Sequence, residues 1–245
     1  MIASGIDEAK VYAEFVELAH EIKVPVIQLH YGMELRDKYG NIIEQVPKRM
    51  SHSFNRNAYV WMFSQLAAHP IDDTGSFGAS YNSMKDTGGT VRNSDTYPMA
   101  PYAVQQSQLS VEIDTPGYGY YGIVALATNG IVIGTGSGAE GFSDYQLTTK
   151  IAHGNGATQM HYADTDDPPW AWDEGTDTMT STFVRYFNNN SGDTIVVAEI
   201  GMYFRGLSSY YFMMARDLLG APISCVDASQ LKVTYDIDLI YPEGA

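Results

Sequence analysis

A single cysteine in 245 residues excludes any intrachain disulfide, which suits a chain made and assembled in a reducing cytoplasm and leaves its stability to a hydrophobic core. That residue, Cys225, has no base in its local ISCVDAS sequence, so a thiol nucleophile is not expected. Long apolar runs are also missing. None approaches the roughly 20 residues of a membrane helix, and the opening MIASGIDEAK lacks the basic-then-apolar order of a secretory leader. The expectation is a chain that neither spans a membrane nor takes the secretory route. Positive charge is scarce, with 14 Lys and Arg against 29 Asp and Glu, a net of −15. This balance repels a phosphate backbone, and no basic patch offsets it, so nucleic acid is not an expected partner.

Motifs of metal and acid–base chemistry are absent as well. The histidines His20, His30, His52, His69, His153 and His161 form no HxH or HExxH pair, and only His153 and His161 share a short region. Carboxylates are plentiful, but no spacing singles out an acid and a base. No catalytic residue, metal ligand or cofactor site is expected, and the chain is read as a non-enzyme. Enough remains for a folded protein. Hydrophobic residues make up 44% of the chain, near the globular average, and the length suffices for one large domain or two small ones.

The charge is unevenly spread. Residues 1–70 hold eight acids and seven bases (−1), and residues 71–245 hold twenty-one acids and seven bases (−14). An acidic exterior keeps a β-rich body soluble, and it also suits a basic partner surface. In the near-neutral head, Val11, Phe15, Leu18 and Ile22 recur at helical spacing behind Asp7 and Glu8, which predicts an amphipathic helix over 7–23. The runs VPVIQLHYGMELRD and NIIEQVPKR flank Gly40-Asn41, a hairpin turn pair. A second helix is expected to begin at Ser51 or Ser53 and to place Phe54, Ala58, Trp61, Met62 and Gln65 on one side before Pro70 ends it. Residues 1–70 are thus read as a helix-hairpin-helix docking region. Residues 71–105 are rich in Gly, Ser, Asn, Asp and Thr and show no apolar periodicity. They are read as an extended arm or linker, with Tyr81, Met84, Tyr97, Met99 and Tyr102 available for contacts.

From about residue 106 the pattern alternates with period two. In LKVTYDIDLIY, Leu231, Val233, Tyr235, Ile237, Leu239 and Tyr241 share one face, and Lys232, Thr234, Asp236 and Asp238 share the other. TSTFVRYFNNNSGDTIVVAEIGMYF reads as two strands around a polar hairpin turn at 188–193, with YYFMMARDLL as a third strand. SQLSVEI, YYGIVALATNGIVIG and the stretch around Met160 and Tyr162 bring the count to roughly six to nine. Residues 106–245 are therefore read as a mainly β, antiparallel, jelly-roll-like sandwich, and the absence of alternating long helices disfavours a parallel doubly wound sheet.

Two motifs invite a functional reading. Gly136-Ser137-Gly138-Ala139-Glu140-Gly141 spells GxGxxG after the apolar Ile131–Ile133, with Asp164 downstream, as in a dinucleotide site. The following FSDYQLTTKIAHG is a poor helix, so a tight loop is the expected role. DTDDPPWAWDEGTD, residues 164–177, places six acids around Trp170 and Trp172. Pro168 and Pro169 stand where a helix–loop–helix calcium loop needs its glycine and backbone ligand, so a surface loop with its tryptophans folded back on the sandwich is expected. A bound cation, a glycan or a protein contact are the alternatives there.

Three stretches taken in order, GIVIGTGSGAEGFSDYQLTTKIAHGNGATQMHY, FVRYFNNNSGDTIVVAEIGMYF and MMARDLLGAPISCVDASQLKVTYDIDLIY, resemble a group of structural proteins of tailed bacteriophages. The shared features are the polar NNSG turn, an acid-aliphatic-Gly-aliphatic-Tyr segment and a closing ARD…L.VTY.I strand. LRDKYGNIIEQVPKRMSHSFNRNAYVWMFSQL is similar to the charged hairpin and SHSF helix of that group. The resemblance covers most of 24–68 and 122–241 and implies a virion component, assembled in the host cytoplasm, whose partners are other copies of itself and other virion proteins. The expected mechanism is self-association through the sandwich edges, docking through the N-terminal region, and bridging by the 71–105 arm. The alternative is a receptor-recognition module of a phage tail or head fibre, binding a host-surface glycan through Trp170 and Trp172.

Overall fold

A computed structural model describes residues 8–51, 54–66, 84–92, 119–166, 169–206 and 210–242. The described part is mainly β and built from antiparallel-rich sheets arranged like a sandwich. In chain order it comprises helix α1 (Glu8–Glu21), strands β1 (Val26–Arg36) and β2 (Ile42–Met50), helix α2 (Arg56–Leu66), and the small hairpin β3 (Met84–Lys85) and β4 (Val91–Arg92). Then follow β5 (Gly130–Gly134), β6 (Ala152–His153), β7 (Gln159–Thr165), β8 (Trp170–Asp173), β9 (Thr178–Asn188), β10 (Ile195–Arg205), β11 (Tyr211–Cys225) and β12 (Gln230–Ile240). One sheet runs β2-β1-β12-β9-β7-β6 with β8 alongside β9, and the other runs β11-β10-β5. Leu29, Met33 and Leu35 of β1, Leu231, Val233 and Tyr235 of β12, and Val197, Ile200 and Met202 of β10 meet in one core cluster between the two sheets. Alternating burial along each strand is what creates that interior.

The hairpin expected around Gly40 forms, but its organiser is Asp37. This carboxylate accepts from the Tyr39 and Asn41 amides at 2.8 and 2.9 Å and from the Asn41 side chain at 3.0 Å, while Gly40 takes φ 86°. β1 pairs with β12 over its whole length, from Val26↔Ile240 to Arg36↔Gln230. The N-terminal hairpin is therefore part of the large sheet, and a division of the chain at residue 70 would cut through continuous strand pairing. Helix α2 is capped by Asn55, whose side-chain oxygen accepts from the Ala58 amide at 3.3 Å. Ser51 does not cap it: its hydroxyl donates to buried Asp217 at 2.9 Å, and Ser53 lies outside the described residues. Ala58 and Val60 of α2 pack with Met84, Phe204, Phe212 and Met214 in a second cluster on the outer face of the β11-β10-β5 sheet. With both faces covered, β11 buries a continuous run instead of alternating residues.

Met84 is the described residue of the 71–105 segment that departs most from an extended arm, since it is buried at 1% exposure within that second cluster. Tyr81, Tyr97, Met99 and Tyr102, like SQLSVEI, lie outside the described residues. Residues 188–193 do not make a hairpin. β9 belongs to the large sheet and β10 to the small one, so the turn carries the chain around the end of the sandwich. Buried Asn189 fixes this corner by donating to the Asp193 and Cys225 carbonyls at 2.8 and 2.7 Å and accepting from Ser191. Along β12 the expected alternation holds through Tyr235, beyond which Asp238 is buried and Leu239 is not.

Candidate functional site

Residues 121–129, expected as strand, are irregular, and strand β5 begins only at Gly130. The cause is Arg185. Its guanidinium is fully buried and donates to five backbone carbonyls: Ala163, Asn129, Ile131, Ile123 and Leu126, at 2.8 to 2.9 Å. The ring of Tyr162 lies 5.0 Å from the cation. Gly122 is required here, because a Cβ would stand 2.5 Å from the guanidinium nitrogen. Burial lowers the Arg185 pKa to about 10, with Tyr162 and Asp164 opposing, so the group stays charged at neutral pH.

The GxGxxG run wraps a second buried ionic centre. No helix follows it within residues 135–150. Glu199, fully buried, accepts from the amides of Gly136, Thr148 and Thr149 at 3.1, 3.1 and 2.8 Å and from Arg216 Nε at 2.8 Å. Arg216 also donates to the Gly138 carbonyl at 2.7 Å, the Ala139 carbonyl at 3.1 Å, the Thr148 hydroxyl at 2.8 Å and Asp144 at 2.7 Å. A side chain at Gly136 would collide with the Glu199 carboxylate. The loop amides that a phosphate would need at Gly136 and Gly141 already donate to the carboxylates of Glu199 and Asp144, so these glycines serve close packing around an ion pair.

The outer face of the large sheet carries a polar ladder. Lys48 lies 2.9 Å from Asp236 and 3.6 Å from Asp238, His30 lies 2.9 Å from Asp238, and Thr182 and Thr180 donate to the two carboxylates at 2.6 Å. Burial alone would raise the Asp238 pKa, yet His30, Thr180 and Lys48 hold it below its ordinary value. A groove of about 180 Å³ opens beside Glu34, Lys48 and Asp236, all three of which are ion-paired. Among the described residues no group of three or more His, Cys, Asp or Glu side chains could hold a metal ion. Cys225 is buried, and burial pushes its thiol up to about 12.

His153 and His161 do come together, with ring centroids 4.9 Å apart, and His153 Nδ1 accepts from the Tyr162 amide at 3.1 Å. His52 and His69 lie outside the described residues. Desolvation first, then His161 and Arg185, lower the His153 pKa from its ordinary 6.5. The unfolded chain therefore takes up this proton before the folded one, and stability falls as the pH drops below 6.5 toward the folded value. His153→Asn keeps an acceptor for the Tyr162 amide and is expected to show a smaller loss of urea midpoint than wild type from about pH 7 to about pH 5. An identical loss in both proteins would exclude His153 as a contributor.

The 164–177 segment exposes both of its tryptophans. Trp170–Asp173 do not fold back: they form β8, an edge strand paired with β9 through Trp170↔Ser181 and Trp172↔Met179. Trp170 is 71% exposed, and Trp172, 43% exposed, meets the Tyr241 ring at 5.4 Å. Two of the segment's acids have local duties. Asp164 accepts from the Val124 amide at 2.5 Å, and Asp173 accepts from the Gly175 amide at 2.8 Å. The sequence placed the tryptophans in a loop because Pro168 and Pro169 and the acid run hide a four-residue strand. Trp-Ala-Trp alternation was the available signal, since it puts both indoles on one face. β9 is the one strand partner of β8 among the described residues, so the other edge of β8 offers unpaired backbone groups beside two indoles. No family model, curated protein or solved structure matches the chain.

Proposed function

We propose that this chain is a non-enzymatic structural component of a tailed-phage virion, held in symmetric copies on the capsid, neck or tail by contacts of its sandwich edges and of the 71–105 segment. The observation that carries this reading is β8, an edge strand presenting Trp170 at 71% exposure. Such edges are templates for pairing with another chain, and tryptophan is the residue type most enriched among dominant interface contacts. The two buried arginine centres fit the same role, because they hold the 121–129 and 136–149 loops against the sandwich. Trp170→Ala is expected to weaken self-association of the full chain in sedimentation by roughly 30-fold, the effect of losing about 2 kcal/mol at a central contact. A tagged Trp170→Ala chain should likewise be depleted from particles. A monomer at every concentration, together with undiminished incorporation of Trp170→Ala, would overturn the proposal. The exposure of Trp170 also favours a second reading, the glycan-binding fibre module. Glycan-array binding that is lost in Trp170→Ala, with self-association unchanged, would select it.

A further inference from the structure

Helix α1 turns its strongest apolar stripe away from the other described residues of its chain. Ala19 is buried and Tyr12 and Val16 are half-buried, and burial together with the nearby Tyr59 raises the Tyr12 pKa, which places that side of the helix against the body. Val11, Phe15, Leu18 and Ile22 are instead 52, 50, 52 and 60% exposed. Their 4-3-4 spacing is the seam by which one helix packs along another. It is not a pattern that isolated surface residues require. The border of the seam is acidic. Glu14 and Glu21 lie three or four positions from Val11 and Leu18 and so flank them on the helix surface, both exposed, with exposed Glu17 behind them. The helix holds four glutamates against one lysine, Lys10, itself 3.9 Å from Glu14.

We infer that α1 is a docking seam for an amphipathic helix of a different protein, one whose apolar stripe is flanked by Lys or Arg. Charge complementarity selects this occupant. A basic flank pairs with Glu14 and Glu21, whereas a second copy of this chain would bring the same glutamates and a further net charge of −15. The inference is independent of the virion reading and of β8: it concerns another surface and another partner, and its failure leaves edge-mediated self-association untouched.

The test uses the full chain and a fluorescent helical peptide of roughly 20 residues, Leu at the seam and Lys on both flanks, with a Glu-flanked peptide as comparison. Wild type is expected to bind the Lys-flanked peptide in preference. The double variant Phe15→Ser/Leu18→Ser should lose at least about tenfold in affinity, with an unchanged unfolding midpoint because both side chains are exposed. Glu14→Lys/Glu21→Lys should reverse the preference between the peptides. Equal or absent binding of the two peptides by wild type, or full binding by Phe15→Ser/Leu18→Ser, would overturn the inference. So would self-association without peptide that Phe15→Ser/Leu18→Ser abolishes, since the seam would then belong to a second copy.

Discussion

Arg185→Met is expected to cost on the order of 5 kcal/mol of folding stability. The side chain donates to five carbonyls of residues 123, 126, 129, 131 and 163, and all five lose the guanidinium at once, although the Ile123 carbonyl keeps the Leu126 amide at 3.2 Å. One unsatisfied buried group costs about 1–3 kcal/mol, and several such costs would approach the whole stability of a typical domain, about 5–15 kcal/mol. The 121–129 loop is therefore expected to leave its seat and take water, exposing Ile131 and Tyr162 from the main core. Arg185→Lys keeps the charge but offers three donors from a single nitrogen in place of a planar fork, so about half the loss is expected. Urea unfolding of the full chain measures both, and amide exchange across 122–131 should rise in step. A loss under about 1 kcal/mol for Arg185→Met would show that the loop holds without its cation.

The second large effect belongs to the glycine-rich loop. Glu199→Gln changes shape little but turns one of two accepting oxygens into a donor amide: Oε1 serves the Gly136 and Thr149 amides and Oε2 the Thr148 amide and Arg216 Nε, so one of these two sets of donors loses its acceptor, and the anion beside Arg216 is removed. Breaking a buried pair from one side costs about 3–5 kcal/mol, because the survivor is left charged and unpaired. Arg216→Met is expected to fall in the same range. The double variant should lose less than the sum of the two, with a coupling of about 0.5–3 kcal/mol. Strict additivity would mean that the two groups act independently, contrary to the 2.8 Å contact between them. Gly136→Ala should destabilise the chain by about 1–3 kcal/mol with no nucleotide present. Such a result ties the GxGxxG spelling to packing around Glu199.

The strands were the legible part of the sequence. β12, β9, β10 and the β1–β2 hairpin all lie where period-two patterning and the Gly40-Asn41 turn placed them. Their grouping was not legible, because alternation says which residues share a face and nothing about which sheet the face belongs to. Residues 188–193 show this: the same polar turn serves a hairpin or a sandwich corner, and only the Asn189 contacts to Cys225 and Asp193 decide for the corner. The stripe of α1 is the converse case. Its periodicity gave the helix correctly, and the exposure of that stripe came as the difference, since a seam built for another helix and one built for the chain's own core have the same spacing.

Residue pattern alone determined that this is a disulfide-free, acidic, mainly β chain with two N-terminal helices, because side-chain alternation and turn chemistry are local properties. The tertiary structure decided what its conspicuous residues do. Arg185 and Glu199 are ordinary surface-type residues in a linear reading, and each became the centre of a loop only because strands distant in sequence enclosed it, where an unpaired charge or carbonyl cannot be left to water. The tryptophans went the other way, outward on an edge strand, because β8 pairs with β9 at the margin of the large sheet while the interior is filled by residues of the longer strands.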